Sequence, residues 1–210
     1  SNETFAMKQP TILVTFKTRV PIGEEVLERI ERFVESFQGK LQYKLVLLAD
    51  ATDVSEVDMK DLEAIAINIE VYVYNERGIF QKFPGFEYLA HRYKCCGYSA
   101  LGLVPRAPIH MYLGSVKSDS YQFVWMFVDD TDPYKNGTFA SLGHLVETAD
   151  SNVGNTDLFG STFRCSPKFH WRSSTEELKK RMPWGEAWNR AMCVSDSFQR
   201  NSIGLLNAHL

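Results

Sequence analysis

The feature that most narrows the fold is the stretch 121–128. It is almost wholly apolar from Phe123 to Val128 and runs directly into the acidic turn Asp129-Asp130-Thr131-Asp132-Pro133. A short run rich in β-branched and aromatic residues reads as a strand. Without polar alternation it reads as a strand covered on both faces. Strands of that kind sit inside parallel sheets, whose crossovers need helices. The expected class is therefore α/β, with a mostly parallel central sheet and helices on both faces.

The first fifty residues carry the same signature. Residues 11–16, Thr-Ile-Leu-Val-Thr-Phe, form a buried strand, and Lys17-Thr18-Arg19 follow as a polar loop. Val26, Leu27, Ile30, Phe33, Val34 and Phe37 recur at helical spacing among charged residues, after Pro21 and before Gly39. Residues 45–49 make a second apolar strand closed by Asp50. Strand, helix and strand in this order form a βαβ unit. Ser55 and Asp58 resemble a capping box ahead of a short helix through Leu62 and Ile65. Residues 67–74 read as a third strand, Asn75-Glu76-Arg77-Gly78 as a turn, and Phe83-Pro84-Gly85-Phe86 as another. Residues 88–96 read as helical, with Pro105 and Pro108 breaking regular structure beyond them. A strand within 157–163 and a mainly helical stretch over 184–210 complete the expectation.

The chain has 210 residues, 44% hydrophobic and 23% charged, enough for one α/β domain with a large core. A net charge of -3 without a basic run excludes nucleic acid as the main partner. No apolar stretch reaches membrane-spanning length. The last residues fall in the apolar Ile203-Gly204-Leu205-Leu206 run, which gives the expectation of a single domain, 1–210, cut at its C-terminal boundary. Of the cysteines Cys95, Cys96, Cys165 and Cys193, none has Cys-x-x-Cys spacing, so zinc is not expected. They read as buried thiols, or as disulfides from the adjacent pair to Cys165 or Cys193. Asn2-Glu3-Thr4 and Asn136-Gly137-Thr138 are sequons.

The acidic turn is where chemistry is expected. Ligands of open α/β sheets bind beyond the carboxyl ends of the strands. Three carboxylates within four residues repel each other unless a cation lies among them. Asp130 and Asp132, from one tight turn, suit a hard divalent ion, Mn2+ or Mg2+, that also takes phosphate oxygens. The same residues also make good turn and cap chemistry.

Val124-Trp125-Met126-Phe127-Val128-Asp129-Asp130-Thr131 resembles the apolar-Trp-acid-Asp run of GT-A glycosyltransferases. Asp157-Leu158-Phe159-Gly160-Ser161-Thr162-Phe163 is similar to a later strand in these enzymes that opens with Asp-Leu. In a eukaryotic GT-A-like group the same order ends in a helix with an Arg-x-Ser-apolar signature, and Arg200-Asn201-Ser202-Ile203 is similar to it. The chain departs from the pattern at Val128, where many relatives carry an acid, and at Thr131, where an aliphatic residue is common.

The resemblance implies transfer of a sugar from a nucleoside diphosphate donor to a hydroxyl or glycan acceptor. Thr15, Lys17 and Arg19 would lie against the nucleotide, Asp50 would read its base or ribose, and Asp130 and Asp132 would hold the metal. His170 or His209 would supply a late ligand. A Golgi or secretory setting follows from the likeness alone. An inverting transferase also needs a carboxylate base, for which Asp157, Glu176 and Glu177 are candidates that the sequence does not rank. Trp171 and Trp184 offer faces for a sugar or for packing. His91, His110 and His144 have no evident partners. Two alternatives stand beside this reading. One is a non-catalytic GT-A-like module binding a nucleotide, glycan or protein. The other is a haloacid-dehalogenase-type phosphotransferase, disfavoured by a mid-chain motif with Tyr134 where that class has Thr or Val.

Overall fold

The apolar runs assemble into one sheet. A computed structural model describes residues 11–52, 54, 60–85, 87, 107–116, 121–129, 141–154, 158–160, 164–165, 193–194 and 198–203. Strand β1 (Ile12–Arg19) pairs in parallel with β2 (Tyr43–Asp50) on one side and β4 (Phe123–Val128) on the other. Strand β3 (Glu70–Tyr74) extends the parallel sheet beyond β2. Past β4 come β8 (Phe198–Ser202) and then β5 (Leu158–Gly160), each antiparallel to its neighbour. The order is β3-β2-β1-β4-β8-β5. A separate ladder joins β6 (Arg164–Cys165) and β7 (Cys193–Val194).

Alternation along β1 sorts the core into two layers. Val14 and Phe16 share a face with Leu47, Ala49, Trp125 and Phe127. Helices α1 (Glu24–Ser36), α2 (Lys60–Ile65) and α5 (Leu142–Val153) cover that face with Ile30, Phe33, Leu62, Ile65, Leu145 and Val146. Leu13, Val46, Leu48 and Val124 point to the opposite face. There α3 (Glu76–Lys82) and α4 (Ala107–Ser115) supply Ile79, Ile109, Tyr112 and Leu113. The fold is thus α/β with helices on both faces of a mostly parallel sheet.

Trp125 is fully buried, stacks on Phe127 at 5.9 Å, and must place its indole N–H. It donates to Asp150 of α5 at 3.2 Å, and the Tyr43 hydroxyl donates to the same carboxylate at 3.0 Å. Burial, then the Asp150 charge, pushes the Tyr43 pKa far up, so the phenol stays a donor. One carboxylate therefore clamps α5 to the strands.

Several sequence expectations are corrected. Lys17-Thr18-Arg19 are strand, because β1 is hydrogen-bonded on both sides and continues to pair with β2 as far as Asp50. Asn75-Glu76-Arg77-Gly78 open α3, because the Asn75 side chain caps the helix by accepting from Gly78 N at 2.7 Å. Pro108 is the second residue of α4, where its missing N–H costs nothing. Arg200-Asn201-Ser202 belong to β8 rather than a helix, since the far edge of β4 needs a partner. The third strand begins at Glu70, not residue 67. The capping box at Ser55 and Asp58, and the helix over 88–96, lie outside the described residues.

Helices α1 and α5 touch at Gly143. A Cβ there would sit 2.0 Å from the Ser36 carbonyl oxygen, and Gly143 N donates to Ser36 Oγ at 3.0 Å. Gly143→Ala should therefore cost about 1–3 kcal/mol through overpacking. Gly114→Ala, whose methyl would meet open space in α4, should gain up to about 1 kcal/mol. Urea midpoints of the two variants check the contrast.

Candidate functional site

The carboxyl ends of β1, β2, β3 and β4 lie side by side, and Lys17, Arg19 and Asp50 fall there. Parallel register aligns Arg19 with Asp50 and Asp50 with Tyr74. By alternation, Lys17, Arg19, Asp50 and Tyr74 belong to the face covered by α3 and α4. Strand order reverses at β1: β2 lies on one side and β4 on the other. Such a switch point leaves a crevice outside the strand ends, the usual ligand position in open α/β sheets.

Asp50 is 4% exposed. Its Oδ1 accepts from Thr52 N at 3.1 Å and from Thr52 Oγ1 at 2.6 Å. Thr52 Oγ1 in turn accepts from Glu76 N at 2.9 Å, linking the carboxylate to the start of α3. The other oxygen, Oδ2, lies 4.0 Å from Arg19 Nε. Arg19 is 73% exposed, so this pair adds little stability and leaves the guanidinium available. Burial holds the Lys17 pKa below its ordinary value, partly offset by the charge of Asp50, then lowered again by Arg19.

Tyr74 is 3% exposed, and its hydroxyl has no hydrogen-bond partner among the described residues. Burial first, and then the Asp50 charge, drives its pKa far upward, which keeps it a neutral donor. Buried hydroxyls rarely go unpaired, and an unmade bond costs about 1–3 kcal/mol.

On the opposite face, Thr18 Oγ1 donates to Asp129 Oδ2 at 3.0 Å. Arg29 Nη1 donates to the Asp129 carbonyl, while Nη2 pairs with Glu25. Strand β1 thereby holds Asp129 by its side chain and helix α1 by its main chain.

The structure places Lys17, Arg19 and Asp50 near one another at the carboxyl ends of β1 and β2. Thr15 is different: it is 1% exposed within β1 and donates to the Trp125 carbonyl at 3.0 Å. It is a core residue below the site, not a loop residue facing a ligand. Asp130, Asp132, Asp157, His170, Glu176, Glu177 and His209 lie outside the described residues. Among the described residues no three His, Cys, Asp or Glu side chains converge as metal ligands. No helix among them is long and apolar enough to cross a membrane.

Sequence reasoning missed Tyr74, Thr52, Thr18 and Arg29. In the sequence Arg29 is one of several charged residues around the apolar face of α1. Tyr74 reads as the end of a strand, and its empty hydroxyl is visible only in three dimensions.

No family model matches the chain, and no curated protein matches it in sequence. Among solved structures it is similar to the mannosyltransferase Ktr4p from S. cerevisiae, with a TM-score of 0.45 and 10% identity, covering 99% of this chain and 59% of that one. It is also similar to mouse xyloside xylosyltransferase 1 in its apo form, with a TM-score of 0.41 and 12% identity, covering 96% of this chain and 68% of that one. The chain thus spans 59% of the length of the mannosyltransferase it matches.

Two substitutions test the polar geometry. Tyr74→Phe removes a hydroxyl with no partner among the described residues and should leave thermal stability unchanged or raise it by up to about 1 kcal/mol. Asp50→Asn removes the charge facing Lys17 and Arg19 and should cost about 1–3 kcal/mol. Thermal unfolding of both, beside the parent chain, reads the difference in sign.

Proposed function

We propose that this chain is the nucleotide-binding part of a glycosyltransferase that moves a sugar from a nucleoside diphosphate donor to a hydroxyl acceptor. One observation carries the reading. Lys17, Arg19, Asp50 and Tyr74 meet at the switch point of a parallel sheet, immediately beside the strand that feeds the Asp129-Asp130-Thr131-Asp132 turn.

Each group has a task that its environment suits. The half-buried Lys17 and the exposed Arg19 attract the diphosphate in a partly desolvated crevice, where charge counts for more than in water. Asp50, held through Oδ1 by Thr52, would accept from a ribose hydroxyl or a base N–H through Oδ2. The neutral Tyr74 hydroxyl finds its missing partner in the ligand. Thr18 and Arg29 hold Asp129, which positions the turn where Asp130 and Asp132 would hold Mn2+ or Mg2+, with His170 as a further candidate ligand. A divalent ion bound there would neutralise charge on the leaving diphosphate. Asp157, Glu176 and Glu177 remain the candidates for an acceptor-activating base.

Calorimetry with UDP and GDP, with and without Mn2+, tests this reading. The parent chain should bind at least one nucleotide more tightly with metal, and Asp130→Ala/Asp132→Ala should lose tenfold or more, roughly 1.4 kcal/mol. A folded chain that binds neither nucleotide contradicts the proposal. Metal-dependent binding without hydrolysis or transfer of any sugar nucleotide would indicate the non-catalytic module.

A further inference from the structure

We propose that Cys165 and Cys193 form a disulfide that closes the 166–192 segment at its base. The two residues are direct partners in the antiparallel β6–β7 ladder. Opposed residues in such a ladder have Cα atoms about 4.5 or 5.5 Å apart, depending on the type of pair. Both spacings fall within the roughly 4.4–6.8 Å that a disulfide spans. The register therefore meets the bond's Cα spacing requirement.

The ladder itself needs the bond. It consists of two residue pairs, Arg164 with Val194 and Cys165 with Cys193, and stands apart from the main sheet. Even a full isolated hairpin is marginal in water. Two backbone pairs alone do not offset the entropy of joining residues this far apart in the chain. A covalent link removes that cost from the unfolded chain instead.

The position has consequences. Residues 166–192 carry His170, Trp171, Glu176, Glu177 and Trp184. Shortly after β7 the chain enters β8, which pairs with β4 beside the acidic turn. The disulfide would fix residues 165 and 193 to each other, five residues before β8 begins. The bond forms by exchange with an oxidised thiol compound such as glutathione disulfide. Two cysteine thiols give one S–S bond, and the oxidant's S–S bond breaks and leaves as two thiols with both electrons and both protons. Such a bond persists in an oxidising compartment.

The test is a tryptic map of the full chain folded in a glutathione redox buffer, alkylated before digestion without reduction. Cleavage isolates Cys165 in peptide 165–168, Cys193 in 191–200, and Cys95 with Cys96 in 95–106. Peptides 165–168 and 191–200 should travel as one cross-linked species that separates on reduction. In Cys193→Ser, peptide 165–168 should carry the alkyl label in full, whatever the variant's stability. Alkylation of both cysteines in the unreduced parent chain, or linkage of either to 95–106, would overturn the proposal.

Discussion

Strand β1 is hydrogen-bonded along both edges, and that double pairing decides where every polar group of the site emerges. Its parallel register with β2 runs unbroken from Ile12–Tyr43 to Arg19–Asp50, and with β4 from Ile12–Phe123 to Lys17–Val128. A one-residue slip would send Val14 and Phe16 to the α3/α4 layer and turn Lys17 and Arg19 away from Asp50. The fully buried Leu13, Val14 and Phe16 oppose such a slip from both layers. Thr15 adds a lock by placing its hydroxyl on the Trp125 carbonyl. Core packing and site geometry are thus one constraint expressed at two ends of the same strands.

The carboxyl edge stores unfavourable interactions that the rest of the fold absorbs. A half-buried lysine and a buried tyrosine hydroxyl without a partner among the described residues each oppose folding in the free chain. At the opposite ends of the strands the described polar groups are paired: Tyr43 and Trp125 donate to Asp150, Lys44 pairs with Glu70, and the Thr11 and Ile12 N–H groups donate to the Gln42 carbonyl. A protein tolerates costs of this kind where a ligand can supply the missing partners. The asymmetry between the two edges is therefore the physical argument for a site, and it does not depend on similarity to any other protein.

Much of this was legible in the sequence because β1, β2 and β4 are continuous apolar runs and α1 has strict helical periodicity. Those patterns placed Asp50 at the end of the second strand and Lys17 and Arg19 just past the first, which in fact continues through Arg19. What failed to read was context. Asn75-Glu76-Arg77-Gly78 satisfies both turn and helix-cap chemistry, and only the Asn75–Gly78 hydrogen bond separates the two. Pro108 breaks a helix interior but is harmless at its start. Strand β8 carries Gln199, Arg200 and Asn201, without an apolar run, and exists because the exposed edge of β4 demands a partner. Long-range contacts such as Arg29 to Asp129 leave no local signature at all.

The most direct measurement of the central claim is amide hydrogen exchange with and without UDP and Mn2+, resolved along the strands. The account predicts slower exchange at residues 17–20, 50–52, 74–79 and 128–129, with no change at 42–44 and 122–124. Protection at the amino-terminal edge, or binding that leaves the carboxyl edge untouched, would contradict it.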